Sequence, residues 1–182
     1  MAEPRVLAGA DKISFAFGGR HIFSGASWVI REGDRATLVG PNGAGKTTLI
    51  KIAATLILPD AGEVEVLGHA LPGGEDEVRP RLGLALAEYE RTFHFRLTAR
   101  QNLRFFASFL GLSRAEADAR IGRVVEQVGL SHAADAMYGT YSSGMKHRLA
   151  VARSLLPEPD LLIMDEPTAG LDAQTSRQLG DL

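Results

Sequence analysis

The first third of the chain predicts β-strands that are interrupted by one helix. Alternating apolar and polar residues, or a short apolar run that stops at glycine, predict strands at 13–17, 27–30, 35–39 and 63–67. A helix is expected between the last two of these strands, from Lys46 to about Ile57, and Pro59 and Gly62 mark the turn that follows it.

The middle of the chain, from about 75 to 139, predicts mostly helix. Thr98 with Gln101, and Ser113 with Glu116, have the spacing of capping boxes, in which the first residue caps a helix and the second reaches back. Each helix is expected to end at a glycine. We expect these two helices to bury Leu103, Phe106, Leu110, Ile121, Val124, Val125 and Val128, and to stop at Gly111 and Gly129.

The last part of the chain alternates helix and strand again. A helix at about 144–156 precedes the apolar run Leu161–Met164, whose pattern is typical of a parallel strand that is covered on both faces. A further helix is expected near Asp172. The order of elements predicts an α/β fold with a mainly parallel sheet and a helical insertion at about 75–140. Because 182 residues suit one domain, we expect residues 1–182 to form a single domain.

Composition excludes several classes of function. The chain has no cysteine, which excludes disulfides, thiolate metal sites and cysteine nucleophiles. A formal net charge of −2 argues against a dedicated nucleic-acid binder, which is usually strongly basic. No apolar run approaches the roughly 20 residues that span a bilayer, and the N-terminus lacks the pattern of a signal peptide. We therefore expect a cytoplasmic chain.

Residues 40–47 carry two glycines with four residues between them, followed by lysine and threonine. Glycines allow the backbone N–H groups to wrap a triphosphate, and the helix that starts near Lys46 adds the positive end of its dipole. The lysine supplies a charge to the β- and γ-phosphates, and the hydroxyl of Thr47 can ligate Mg²⁺. The pattern predicts ATP binding by Gly40, Asn42, Gly43, Ala44, Gly45, Lys46, Thr47 and Thr48.

Two carboxylates directly follow the last apolar strand. A buried strand that ends in Asp165 and Glu166 brings both side chains to the edge of the sheet, where parallel α/β sheets bind ligands. Asp165 is expected to hold Mg²⁺, and Glu166 is expected to polarise the attacking water, since phosphoryl transfer depends mostly on positioning and charge stabilisation. With Lys46, Glu166 is the candidate catalytic residue.

Two further motifs make the chain resemble the ATP-binding domains of the ABC superfamily. Residues 141–148 resemble the signature of that family, whose usual form is Leu-Ser-Gly-Gly-Gln, and 165–172 resemble its second acidic motif followed by its D-loop. The phosphate loop, signature, acidic strand and D-loop occur in the order of the family. The resemblance implies a P-loop NTPase core, an N-terminal antiparallel β part and a helical subdomain that carries the signature.

The resemblance also implies a head-to-tail dimer with ATP held between two ATPase domains. Ser142, Ser143 and Gly144 would then contact the γ-phosphate bound by the opposite domain, and Asp172 would cross the interface. The residues alone leave a second interpretation of the two serines open, which is ordinary capping of a helix. Phe17 matches the family's aromatic residue that stacks on adenine, with a core residue as the alternative.

The chain departs from the family pattern at three places. The signature has Ser143 and Met145 where glycine and glutamine are usual, which resembles efflux-type members. No glutamine follows residues 82–86, so Glu88 is the nearest candidate for the Q-loop metal contact. The histidine that the family carries on a later strand has no counterpart before Leu182. We expect a C-terminally truncated domain that binds nucleotide and hydrolyses it poorly.

The resemblance implies a motor whose cargo is moved by a separate transmembrane permease subunit. The ATPase domain would then be cytoplasmic and peripheral on the inner face of the cell membrane, in a homo- or heterodimer, with export the favoured direction and no nucleic acid expected. Two alternatives remain open at this point: a nucleotide-binding fragment with little hydrolysis, and a soluble ABC ATPase that does not transport.

Overall fold

The computed structural model describes residues 4–86 and 92–165. Of the predicted site residues, Glu88, Glu166 and Asp172 lie outside these ranges, as does the helix expected near Asp172. The chain divides into two compact units, Met1–Leu82 and Gly83–Leu182. The described elements in chain order are β1 (Val6–Phe17), β2 (Arg20–Arg31), α1 (Lys46–Ala53), β3 (Ala61–Val66), β4 (His69–Leu71), α2 (Glu75–Val78), β5 (Leu82–Ala85), α3 (Ala99–Ala107), α4 (Arg114–Gln127), α5 (Ser143–Leu155) and β6 (Leu161–Met164).

The first unit is built on an antiparallel sheet of four strands in the order β2-β1-β3-β4. Central strand β1 pairs with β2 through Gly9↔Val29 and with β3 through Ala8↔Val66. The predicted strands at 13–17, 27–30 and 63–67 are present, and β1 and β2 extend further toward the N-terminus than the alternation indicated. Ile13, Ile52, Val66 and Val78 are the largest fully buried side chains of this unit.

The strand predicted at 35–39 is not formed in the structure, which assigns no strand between residues 34 and 41. Leu38 and Val39 are 45% and 86% exposed. An apolar run becomes a strand only when neighbouring strands take up its backbone hydrogen bonds, and a run of five residues cannot specify where those neighbours are. The helix after the loop is also shorter than predicted, because it ends at Ala53 rather than near Ile57.

The second unit contains the helices whose caps the sequence predicted. Thr98 and Ser113 both form complete capping boxes, with Gln101 and Glu116 reaching back to the cap backbone. Gly111 and Gly129 adopt positive φ angles of 68° and 67° where the two helical segments end. The predicted core positions pack in one cluster, in which Leu103, Ile121, Val124, Val125 and Val128 are buried and Phe106 and Leu110 are partly buried.

Strands β5 and β6 pair as a small parallel sheet. The sequence predicted a mainly parallel core sheet. Among the described residues, β5 and β6 are the parallel strands of such a sheet. The sequence analysis missed β5, which lies in the part that was expected to be mostly helical. β6 matches its predicted bounds, but only Leu161 is buried, so the described residues cover this strand less completely than its apolar pattern indicated.

Candidate functional site

The predicted phosphate loop forms a tight turn that leads directly into α1. The N–H of Ala44 donates to the carbonyl oxygen of Pro41 across 3.2 Å, and Gly43 has a φ of 80°. The helix begins at Lys46, as predicted, and Gly45 is its N-cap. The loop therefore has the turn and the helix start that its sequence predicted, although the predicted strand at 35–39 that would precede it is not formed.

Gly45 is the position of the loop at which a side chain would be most strained. Its φ of 89° lies in the left-handed region, and an added Cβ would come within 2.6 Å of Ile22 Cγ2 and 3.3 Å of Phe23 Cδ1. Both contacted side chains belong to β2. The second glycine of the motif is thus needed both for its backbone conformation and for close packing of the loop against the sheet.

The start of α1 has the features of an anion site. Gly45 offers no side chain to cap the helix, so the N-terminal end is left to the backbone N–H groups that follow and to the positive end of the dipole. The ammonium of Lys46 donates to the carbonyl oxygen of Gly40 and, at 3.4 Å, to that of Pro41. The lysine thus lies across the loop, and backbone donors at a helix start together with a cation are the groups that typically bind phosphates.

The structure places Phe17 at the C-terminal end of β1, where its side chain is 76% exposed. It therefore does not belong to the core, which was the alternative to a role in stacking. Its strand neighbour Phe15 packs against Phe23 with ring centroids 6.2 Å apart. The same β2 segment contacts the phosphate loop through Ile22 and Phe23, so this end of the hairpin lies beside the loop.

The signature serines lie at the start of α5, as the sequence predicted. Ser142 is the N-cap, and its hydroxyl accepts a hydrogen bond from the N–H of Met145 across 3.3 Å. Ser143 and Gly144 occupy the first turn. Capping uses one lone pair of the Ser142 hydroxyl, and its O–H remains able to donate. Capping and contact with a phosphate oxygen are therefore compatible roles of the same side chain.

Tyr141 anchors the segment that enters α5, a role that the sequence analysis missed. Its side chain is buried, and its hydroxyl donates to the carbonyl oxygen of Ala133 across 2.7 Å. Burial, followed by the negative charge of Asp135, raises the pKa of Tyr141 above its ordinary value, with an opposing contribution from Arg148. The phenol therefore stays protonated and keeps its donor. A tyrosine directly before a helix cap was the available signal.

Asp165 directly follows β6, so the predicted acidic end of the strand is present. Its backbone N–H donates to the carbonyl oxygen of Ala85 across 2.9 Å, which continues the β5–β6 pairing by one residue. The residue is 8% exposed. Within the described ranges, no cluster of three or more His, Cys, Asp or Glu residues could hold a metal ion.

The sequence model of the family described as ABC transporter matches residues 23–169, which include the phosphate loop, the signature and the acidic strand end. The chain belongs to this family. The resemblance that the motifs indicated is therefore confirmed.

Curated relatives in the ABC transporter family include ATP-binding proteins of bacteria. The linearmycin resistance ATP-binding protein LnrL of Bacillus subtilis is 36% identical over 170 residues, which cover 93% of this chain and 54% of that protein. The Nod factor export ATP-binding protein I of Burkholderia lata is 39% identical over 158 residues, which cover 87% of this chain and 51% of that protein. The chain spans about half the length of these relatives.

Solved structures of ABC proteins share the fold. The cbiO1 protein of Clostridium perfringens, described as part of the ABC transporter complex cbiONQ, matches with a TM-score of 0.86 and 25% identity over 97% of this chain and 72% of that one. The ATP-binding cassette MJ0796, in a dimeric post-hydrolysis structure with ADP and phosphate, matches with a TM-score of 0.84 and 22% identity over 96% of this chain and 80% of that one. None of the described helices is long and apolar enough to cross a membrane.

Proposed function

We propose that this chain is the ATP-binding and hydrolysing part of an ABC transporter, and that it powers transport through a separate transmembrane permease subunit. The observation that carries the proposal is the phosphate loop, because a side chain at Gly45 would be strained and would clash with β2, and because the loop ends at a helix start that bears Lys46 and has no side-chain cap. The loop lies in a chain that belongs to the ABC transporter family.

In the proposed site, different residues of this chain bind the phosphates, the adenine and the Mg²⁺ of Mg·ATP. Gly40, Asn42, Gly43, Ala44 and Gly45 supply the loop, Lys46 and Thr48 face the phosphates, and Phe17 offers an exposed ring to the adenine. Thr47 and Asp165 supply oxygen ligands for Mg²⁺, with Glu88 as a further candidate. When bound, Mg²⁺ neutralises charge on the phosphates. Glu166 orients the attacking water and accepts its proton as the water attacks the γ-phosphate.

Two ATPase domains act together in the proposed mechanism. Ser142, Ser143 and Gly144 at the start of α5 give the γ-phosphate of the opposite domain a hydroxyl donor and the positive end of a helix dipole. Asp172 crosses between the two domains. ATP binding then favours the closed pair, and hydrolysis releases it. The partner domain is an identical or a related chain.

Export is the proposed direction of transport. Two relatives are named for Nod factor export and for linearmycin resistance, and both names describe or fit removal of a compound from the cell. The signature variant with Ser143 and Met145 agrees with this assignment. The chain would lie in the cytoplasm, on the inner face of the cell membrane, where its permease partner holds it.

Exposed aromatic side chains on α3 and on the segments before and after it support a membrane partner. Phe95, Phe105 and Phe109 are all exposed, and the rings of Phe105 and Phe109 meet edge to face with centroids 5.2 Å apart. Exposed contiguous aromatic side chains are typical of protein interaction sites. We propose this aromatic surface as the contact with the permease subunit.

The proposed function is tested by measuring Mg·ATP binding and ATP hydrolysis on one preparation. Glu166→Gln should preserve ATP affinity and slow turnover by about 10²-fold or more, because it removes a general base. Lys46→Ala should weaken ATP binding, since the loop loses its cation. Binding that survives Lys46→Ala would show that the loop assignment is wrong.

The two alternative functions give different outcomes in the same experiment. A nucleotide-holding fragment binds ATP with no turnover that depends on Glu166. A soluble ABC ATPase shows turnover that depends on Glu166, and Phe109→Asp does not change how much of it associates with membranes. In a transporter subunit, Phe109→Asp should abolish binding to the permease and leave ATP binding unchanged. Arg123→Asp, an exposed change on α4, is the charge control for the last comparison.

A further inference from the structure

Arg153, on the last turn of α5, joins three elements of the second unit. Its Nη2 donates to the carbonyl oxygen of Leu84 in β5 across 3.3 Å. Its guanidinium lies over the ring of Phe106 in α3, 5.2 Å from the centroid. One side chain therefore connects the helix that begins at Ser142 with a strand of the parallel pair and with the helix that bears the exposed aromatic surface.

The carbonyl that Arg153 contacts lies on the edge of β5 that faces away from β6. Successive carbonyl groups of a strand point to opposite sides. Ala85 directs its oxygen toward β6, where it accepts from the N–H of Asp165. Leu84 must direct its oxygen to the other side, where no described strand pairs with it. Arg153 therefore fills a hydrogen bond that a neighbouring strand would otherwise make.

Gly83 allows α5 and β5 to approach closely enough for this contact. A Cβ at Gly83 would lie 2.5 Å from the carbonyl oxygen of Ser154 and 2.9 Å from Pro159 Cγ. Ser154 is the neighbour of Arg153 in the helix. The backbone of β5 therefore packs closely against the last turn of α5 at Gly83, next to Leu84. This packing sets the distance between α5 and β5 that the guanidinium bridges.

The charge of Arg153 is held at some cost in free energy. Burial lowers its pKa, and none of the ion pairs between described residues includes it. An apolar side chain of similar length would avoid this cost, because burying a charge without a carboxylate is unfavourable. The described partners of the guanidinium are one backbone carbonyl and one aromatic ring. We therefore infer that Arg153 serves to position these partners rather than to stabilise the fold.

We propose that Arg153 is a positioning residue, which ties the C-terminal end of β5, and through it the backbone of Asp165, to the helix that Ser142 begins. The inference rests on the proposed function, in which Asp165 holds Mg²⁺. Without the guanidinium, Leu84 and Ala85 lose one of their two lateral restraints. Asp165, which is paired to Ala85, is then held less firmly in the position that the metal requires.

The test separates nucleotide binding from its strengthening by metal. The affinity of the full chain for a fluorescent ATP analogue is measured with Mg²⁺ and with EDTA, for the wild type and for Arg153→Met. The variant should keep the affinity measured in EDTA and lose about fivefold to tenfold of the affinity that Mg²⁺ adds, the size expected when one intramolecular hydrogen bond is lost. Arg153→Lys, which keeps a cation for Leu84 and Phe106, should recover part of this loss.

Arg123→Met is the matched control, because Arg123 pairs with Glu158 on the surface and its described contacts include neither β5 nor α3. It should leave both affinities unchanged. An unaltered effect of Mg²⁺ in folded Arg153→Met would overturn the positioning role alone. If thermal unfolding shows that this variant does not fold, the same comparison with Arg153→Gln decides. A wild-type chain that binds no ATP would overturn the proposed function, and the positioning role with it.

Discussion

At the scale of single residues, two glycines of the phosphate loop have the same backbone conformation and different surroundings. Gly43 and Gly45 have φ angles of 80° and 89°. An added Cβ would meet nothing within 4 Å at Gly43, but would clash with Ile22 and Phe23 at Gly45. The motif alone treats both as backbone requirements, whereas the structure adds a packing requirement at only one of them.

Gly45→Ala should therefore destabilise the chain more than Gly43→Ala. Both variants incur the cost of a left-handed residue with a Cβ, about 1–2 kcal/mol, and Gly45→Ala adds a steric clash. The free energies of unfolding in urea give the comparison. Ile22→Ala in the Gly45→Ala background should recover stability by removing the clashing methyl group. Equal losses at the two glycines would show that the loop does not pack against β2 in this way.

A second prediction concerns the anchor of the signature segment. Tyr141→Phe removes the donor to Ala133 and leaves a buried carbonyl oxygen without it, at a cost of about 1–3 kcal/mol. Urea denaturation at neutral pH measures the loss. The packing of the ring is preserved, so a change of less than about 0.5 kcal/mol would mean that water replaces the phenol.

Comparison of the wild type with Tyr141→Phe also predicts that the contribution of Tyr141 to the free energy of unfolding depends on pH. Burial and the charge of Asp135 raise the pKa of Tyr141 in the folded state, so its contribution to stability is present below the unfolded pKa of about 10 and is lost as the pH rises above that value. The difference in unfolding free energy between the wild type and Tyr141→Phe should shrink as the pH rises above about 10. A constant difference would contradict the raised pKa.

At the scale of elements, α5 begins with a cap that has two proposed roles. Ser142→Ala should lose about 1 kcal/mol of stability, because the N–H of Met145 loses its acceptor. Ser142→Asp should restore the cap and add a favourable interaction with the dipole, but its carboxylate should repel a γ-phosphate. Unfolding measurements and ATP-dependent dimerisation by light scattering therefore separate the two roles.

A capped helix elsewhere in the same unit supplies the control. Ser113→Ala on α4 removes an equivalent cap and should cost a similar amount of stability with no effect on dimerisation. If Ser142→Asp dimerises with ATP as the wild type does, Ser142 has only the capping role. The matching behaviour of the two caps in stability is expected in either case.

At the scale of the whole molecule, each of the two compact units buries apolar side chains. Ile13 belongs to the first unit and Ile121 to the second, and both are fully buried. Ile13→Val and Ile121→Val should each cost about 0.5–1.5 kcal/mol. Substitutions that share no partners add, so the double variant should lose the sum within about 0.5 kcal/mol.

Equilibrium unfolding of the two single variants and the double variant completes this cycle. A coupling energy well above that range would mean that the cores behave as one cooperative body. Chemical denaturation that shows two transitions, each shifted by one substitution only, would give the opposite limit, in which each unit unfolds alone.

The sequence by itself determined the features that depend on neighbours along the chain. The capping boxes at Thr98 and Ser113, the helix starts at Lys46 and Ser143, and the strand that leads to Asp165 all follow from local hydrogen bonding and local apolar spacing. These interactions join residues that are a few positions apart, so their pattern can be recognised without knowing the fold. The family followed from four such motifs in order.

Only the tertiary structure decided the features that join distant residues. The stretch at 35–39 has the composition of a strand but no described partner strand, and β5 was missed because a four-residue strand gains its identity from β6. The clash that fixes Gly45 involves Ile22, and the contact of Arg153 spans 69 positions to Leu84. Sheet pairing, close packing and buried charges arise from contacts across the fold, and local patterns carry no record of which distant residues will meet.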